Sequence, residues 1–485
     1  MNIRVFLRLL PILAVCSIAV LSWAGEAPNS TETTMSAPAT NAPSTSAAAA
    51  PADPAPAASR KLMYNSDGNH LFHGERRPAD PRAYWHNRHD PKVPELTVEE
   101  FLAHVDEVAR PGSQVGTFLI CPVSYQVVMY RGVLEKRLGD GLTDEQFAVT
   151  APAIRSSVTA LRHFDVLGVD PFTLLVKRIK EKGMAAVVTW RVQQAHVIAG
   201  EEKAAAMSPF WQEHPELRLK GGSGGGEKDA ALDFAKPEVR ERKLALIREF
   251  VTKYNMDGVQ LDFQRFPLFF VKGKEEAGIP LMNQFVQSVR QMLDDEGRKA
   301  GRRLTLGVRV PENPARCREL GLDPAAWVNE GWLDSVVVST FLSQCVVSPY
   351  GVPHYEMDIQ AFRELFRKPV ALYGAIQTYY IVTDTTNGGK KLVQFVLSPD
   401  DYRKEAQRLW KKGVDGIELF NFFMSRSKGS VAGRRKEPPF FLMKELGDPA
   451  LIGKVNAPEE AEWSKIYPAE PAVEKYRAPL PDASR

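Results

Sequence analysis

Cysteine is scarce in this sequence, with four in 485 residues. Cys16 lies in an N-terminal apolar segment. The other three, Cys121, Cys317 and Cys345, are odd in number and match no zinc-ligand spacing, which excludes a disulfide scaffold. Buried small hydrophobes are the plain reading of all three, and a Cys121–Cys345 pairing is left open. An excess of one charge is missing too: 62 Lys and Arg face 59 Asp and Glu, a formal +3. Two of those cations, Arg4 and Arg8, sit in the N-terminal segment. A nucleic-acid partner is excluded, because such binders carry a clustered basic excess. There are nine histidines, and the close pair His86 and His89, in "YWHNRHDP", stands in a Pro-rich connection without a third ligand. The one glycine-rich stretch, "GGSGGG" at 221–226, follows no strand and lacks a Gly-Lys-Ser/Thr ending. It reads as a flexible loop and not as a phosphate cradle.

Long apolar runs are also lacking, except at the start. Arg4 and Arg8 precede an uncharged run from Leu9 to Ala24, with small residues at Ser22 and Ala24. This is the pattern of a cleaved secretory signal over 1–24, and the run is short for an uncleaved anchor. "LAVC" loosely resembles a lipobox at Cys16, but Val15 is large for that motif, so lipidation is the weaker reading. Residues 25–59 are Ala, Pro, Ser and Thr with almost nothing to bury, as expected of a disordered tether. A secreted or periplasmic protein is expected, with no membrane span after signal cleavage.

From about residue 60 to 430, short apolar strands alternate with amphipathic helices. In "DPFTLLVKRIKEKG", Asp170 caps, Pro171 opens and Gly183 stops a helix. Its face is Phe172, Leu175, Val176 and Ile179. "SPDDYRKEAQRLWKKG" repeats this with Ser398, Pro399 and Gly413 around Tyr402, Ala406, Leu409 and Trp410. Thr97 and Glu100 stand at capping-box spacing. Eight candidate strands begin near residues 61, 114, 184, 256, 303, 333, 369 and 413, several apolar on both faces, as buried parallel strands are. The predicted fold is α/β, a (β/α)8 TIM barrel in a single domain. Residues 431–485 read as a helical extension around "PFFLMKELG" and a Pro-rich tail.

Barrel active sites lie at the C-terminal ends of the strands. Those ends carry Asn65 and Asp67, Cys121 and Ser124, Trp190 and Arg191, and Asp262. The later strands add Arg309 and Glu312, Ser339 and Thr340, Tyr373 and Gln377, and Glu418 and Asn421. A ring of carboxylates, guanidiniums, amides and aromatics suits sugar hydroxyls and an oxocarbenium-like transition state worked on by two carboxylates. Asp262 is the candidate nucleophile or stabilising carboxylate, or else an ion-pair partner of Arg265. Alternation separates Glu418 from Ile417 and Leu419, so it is an inward acid or an outward solvated charge. Glu312 is an alternative proton donor or a loop charge. Asp257 and Asp415, in "DG" pairs that open strands, read as turn residues at the stability end.

The stretch "ALDFAKPEVRERKLALIREFVTKYNMDGVQLDFQRFP" resembles the core of the glycosyl-hydrolase-like 10 family of secreted bacterial barrels. The resemblance extends to "LVKRIKEKGMAAVVTWRV" and "WVNEGWLDSVVVS", about half the chain. The family pattern falls on Asp233, Asp257, Gly258, Asp262, Arg265 and Pro267. Gln260 stands where a His is common, and "RVPENP" departs from the usual sequence after strand five. Membership implies a barrel related to glycoside hydrolases. The expected function is hydrolysis of glycosidic bonds in a polysaccharide or glycoconjugate, with a non-catalytic carbohydrate-binding barrel or a secreted assembly factor as alternatives. Asp262, Glu418 and Glu312 are the candidate catalytic residues. Asp67, Trp190, Arg191, Asp233, Arg265, Arg309, Tyr373, Gln377 and Asn421 are the candidate binding residues. No metal or cofactor is implied, and the expected partner is a carbohydrate.

Overall fold

Eight parallel strands close into a barrel in this computed structural model. It describes residues 61–66, 68, 70–72, 96–196, 198, 202–219, 231–340, 346–347, 353–384, 391–426 and 436–468. All belong to one compact unit, Pro51–Arg485. In chain order, strands one to four are Leu62–Ser66, Val115–Ile120, Ala185–Arg191 and Gly258–Asp262. Strands five to eight are Thr305–Val310, Ser335–Val338, Ala371–Gln377 and Gly416–Phe420. Each pairs in parallel with its sequence neighbours, and strand one pairs with strand eight to complete the ring. The expected (β/α)8 barrel is therefore observed. The readings on residues 1–59, the His86/His89 cluster, "GGSGGG", Asp67 and Cys345 lie outside the described residues.

The helices form where their caps place them. Asp170 accepts from the amides of Phe172 and Thr173 and starts helix Pro171–Glu181, and Gly183 ends it at φ 78°. Phe172, Leu175, Val176 and Ile179 are all buried. Helix Pro399–Lys411 has a Ser398/Asp401 capping box and buries Tyr402, Ala406 and Leu409. Thr97 and Glu100 make the expected box before helix Val98–Asp106. Burying one such apolar face against the barrel is worth roughly 1.5–3 kcal/mol per large side chain.

Strand alternation divides the interior into two populations. Side chains such as Ala186, Val188, Trp190, Ile417 and Leu419 point outward and join the main core under the helices. Met63, Leu119, Ala185, Val187, Val337, Tyr373 and Ala375 point inward and fill the lower lumen. Gly416 belongs to this lower layer, because a Cβ there would lie 2.4 Å from the Tyr373 ring. The ring occupies the space a larger residue would need.

At the foot of the barrel one device occurs three times. Asp257, Asp334 and Asp415 precede strands four, six and eight. Each donates its backbone N–H to a carbonyl on the preceding strand, at Ala186, Leu306 and Leu372 respectively. Each then accepts that same residue's N–H on Oδ2, at 2.8 Å in all three cases. Arg302, Arg303 and Arg363 pair with the three carboxylates. Asp257 and Asp415, expected as turn residues, thus clasp strand register at the end assigned to stability. The C-terminal segment packs here as well. Gln114 donates its backbone N–H to Met443 O and accepts from Gly447 N on Oε1, tying Phe440–Lys444 beneath strand two. No helix among the described residues is long and apolar enough to cross a membrane.

Candidate active site

Above the apolar layer the lumen turns polar. The inward positions at the C-terminal ends of strands one, three, four, five and eight carry Asn65, Thr189, Arg191, Gln260, Asp262, Arg309 and Glu418. All are buried. Strands four and eight face each other across the ring, yet their side chains meet. Gln260 Nε2 donates to Glu418 Oε2 at 2.6 Å, and Asn65 Nδ2 donates to Oε1 at 3.0 Å. The question left open by alternation is answered: Glu418 points inward and is 0 % exposed.

One guanidinium organises the two carboxylates. Arg309 Nη1 lies 3.1 Å from both oxygens of Asp262, and its Nε lies 3.9 Å from Glu418 Oε1. Nη2 donates to Ser339 Oγ at 3.0 Å. The Phe420 ring covers the face of the guanidinium, 3.7 Å from Cζ, a cation–π contact. Asp262 Oδ1 also accepts the Gln264 amide at 2.9 Å. Gln264 is anchored in turn through Nε2, which donates to the carbonyls of Val310 and Ser339. Burial raises the pKa of Glu418. Arg309, Gln260 and Asn65 oppose that rise by favouring the charged form, and the nearby Asp262 charge reinforces it.

The structure separates the other expected residues. Arg265 is not the partner of Asp262. Its Nη2 lies 3.3 Å from His196 Nε2 and its guanidinium lies over the Phe266 ring, so the cation three residues away is turned aside. Trp190 faces the outer core, because it shares the parity of Ala186 and Val188, and its indole is 1 % exposed. Tyr373 sits one layer too low, packed in the apolar lumen. Arg191 reaches over the mouth, where a Cβ on Gly68 would lie 2.9 Å from its Nη2. Gln377 donates to Thr340 O at 2.8 Å and joins the ends of strands six and seven. Asn421 turns the chain out of strand eight at φ 56°, a left-handed conformation that Asn tolerates. Asp233 accepts the Ala235 amide at 2.9 Å in a turn ahead of helix Pro237–Lys253.

Glu312 lies two residues beyond strand five, on an open cavity of about 570 Å³ also lined by Asn313, Glu356, Asp358 and Glu364. It makes no bond or ion pair with Asp262 or Glu418. Of the thiols, Cys317 is buried and its pKa is driven up by burial, while Cys121 Sγ lies 3.5 Å from Val123 O. Gln260, Gln264, Thr189 and Phe420 were not singled out as site residues by sequence. Gln260 and Asp262 share one parity, and Glu418 and Phe420 share another. That alternation was the signal available.

No family model matches the chain, and no curated protein matches it. Among solved structures, a chitinase from Chromobacterium violaceum aligns with a TM-score of 0.39 and 11% identity, over 80% of this chain and 98% of its own. A maltogenic alpha-amylase, AmyB from Thermotoga neapolitana, gives 0.38 and 13% over 82% and 77%. Chitinase ChiW from a Paenibacillus species gives 0.41 and 10%, over 75% of this chain and 31% of that larger one. These neighbours are glycoside hydrolases by description. At such identities and scores they assign neither reaction nor substrate to this chain.

Proposed function

We propose that the chain is a secreted glycoside hydrolase of the glycosyl-hydrolase-like 10 type, acting on a polysaccharide or glycoconjugate. Residues 1–24 are its signal, 25–59 a tether, 60–430 the catalytic barrel and 431–485 an extension. The observation that carries this reading is the convergence of Asp262 and Glu418 on the Arg309 guanidinium at the mouth of the barrel. Glycoside hydrolysis needs one carboxyl to give a proton and another to stabilise positive charge on the sugar. Burial favours the protonated form of Glu418, which suits the proton donor. Asp262, paired with Arg309, is the stabilising carboxylate. Arg191, Arg265, Gln377 and Asn421 are the binding residues of this scheme, and Glu312 falls outside it.

One observation favours a second reading, a carbohydrate-binding barrel without catalysis. Asp262 and Glu418 are 1 % and 0 % exposed, and every oxygen of both already has a donor within the barrel. A panel of polysaccharides, scored for both binding and release of reducing ends, separates the two. Hydrolysis by the wild type that falls about 100-fold or more in Glu418→Gln and in Asp262→Asn, with binding kept, supports the enzyme. Binding by the wild type without hydrolysis establishes the second reading.

A further inference from the structure

The two amides on Glu418 have a property that an ion pair lacks. Gln260 and Asn65 each donate to one carboxylate oxygen, as drawn for an ionised Glu418. The far end of Gln260 is occupied as well, since Thr189 Oγ1 donates to Gln260 Oε1 at 2.9 Å. Asn65 is 0 % exposed, and its Oδ1 accepts no hydrogen bond among the described residues. A buried acceptor without a donor costs stability unless another state of the site uses it. The protonated form of Glu418 is such a state, because it adds one O–H donor beside these amides.

A carboxamide offers a donor on one side and an acceptor on the other. Turned by half a rotation about its last bond, Asn65 presents Oδ1 to that O–H. Gln260 can do likewise, with Nε2 turning to the Thr189 hydroxyl, which accepts as readily as it donates. The heavy atoms keep their places in both states. An apolar residue at 260 would serve neither state, a lysine would serve only the ionised one, and a carboxylate would repel it.

We propose that Gln260 and Asn65 are positioning residues that let a buried Glu418 hold and release a proton without moving. The inference rests on Glu418 being the proton donor. In that reaction the proton passes from Glu418 to the leaving oxygen as the C–O bond breaks. The water that adds to the sugar carbon returns one proton to the carboxyl. Among the described residues two charged groups face Glu418: Arg309 on strand five, with Nε 3.9 Å away, and Asp262 on strand four, across the same guanidinium.

The test follows the Glu418 carboxyl itself, by carbon-13 NMR of side-chain-labelled glutamate, with Glu418→Gln identifying its signal. Gln260→Met keeps length but removes a partner from both protonation states of Glu418. The variant should therefore unfold at lower urea than the wild type on both sides of the titration, with its midpoint within about 0.3 of a pH unit of the wild-type value. Asn65→Leu should behave alike. Thr189→Val, which only releases the far end of the Gln260 amide, should show the same pattern more weakly and serves if Gln260→Met fails to fold. A midpoint raised by about one pH unit in folded Gln260→Met or Thr189→Val would mean that the amide favours the charged form alone, and overturns the proposal. Stability equal to the wild type on either side of the titration overturns it too. The titration needs no substrate. Undiminished hydrolysis by Glu418→Gln would sink the proton-donor reading alone, and a raised midpoint would sink the amide proposal alone.

Discussion

The two ends of this barrel use the same chemistry, a carboxylate on an arginine, for different ends. At the foot, Asp257, Asp334 and Asp415 have side-chain exposures of 22, 21 and 45%. Water screens these pairs, and the carboxylates spend an oxygen on a backbone amide, which locks register. At the mouth, Asp262 and Glu418 have exposures of 2 and 0%, and only the Gln264 amide comes from the backbone. Taking such charges out of water costs several kcal/mol per ion, and pairing recovers this only with good geometry. The three clasps avoid most of this cost, whereas the pair at the mouth bears it in full, at the end where barrel active sites lie.

The largest expected effect tests that contrast directly. Arg309→Met leaves Asp262 buried without its partner and should lose about 3–5 kcal/mol in urea unfolding. Arg302→Met at the foot should lose at most about 1 kcal/mol, because the pair it breaks is part-exposed. Equal losses would break the comparison.

Next in size, Asp334→Ala should cost about 1–3 kcal/mol, since it frees the Leu306 amide and removes a partner from the buried Arg290. Asp415→Ala should cost less, as its carboxylate is the most exposed of the three. A reversed order in denaturant midpoints would mean that register is held elsewhere.

The pH dependence sharpens the mouth alone. The folded-state pKa of Glu418 is raised. Its contribution is therefore fully present below the unfolded-state pKa and is lost as pH rises through the folded one. In that window the wild type should lose about 1.4 kcal/mol per pH unit from this group. Glu418→Gln should lack that slope in unfolding experiments between about pH 4 and 8; an unchanged slope would assign it to other groups.

Salt gives the smallest effect. At 1 M salt, with a screening length of about 3 Å, the gap in stability between wild type and Arg363→Met should shrink by less than about 1 kcal/mol. The gap for Arg309→Met should stay as it is, because both side chains of that pair are only 2% exposed.

Much of the scaffold was legible in the chain. The eight apolar runs and the caps at Thr97, Asp170 and Ser398 act over a few residues, so local sequence suffices to place them. The site was legible only in part. Asp262 and Arg309 were both singled out, but Arg265 looked like the partner because it is near in sequence. Arg309 lies 47 residues further on, brought alongside by the pairing of strands four and five. Trp190, a binding candidate at a strand end that could equally be core, has the parity of Ala186 and Val188 and is turned outward. Glu312 read as an alternative proton donor or a loop charge, and the chain leaving strand five carries it to an open cavity whose lining includes neither Asp262 nor Glu418.

By itself the sequence determined which residues alternate, where helices start and stop, and that strand ends would be rich in carboxylates and guanidiniums. Those properties follow from backbone periodicity and short-range hydrogen bonds. Only the tertiary structure decided which face of each strand became the lumen and which carboxylate met which cation. Closure of the ring sets both, since it brings strand eight opposite strand four and lets Gln260, Asn65 and Arg309 reach Glu418 from three other strands. No local pattern encodes a contact across a barrel, because it exists only once all eight strands have paired.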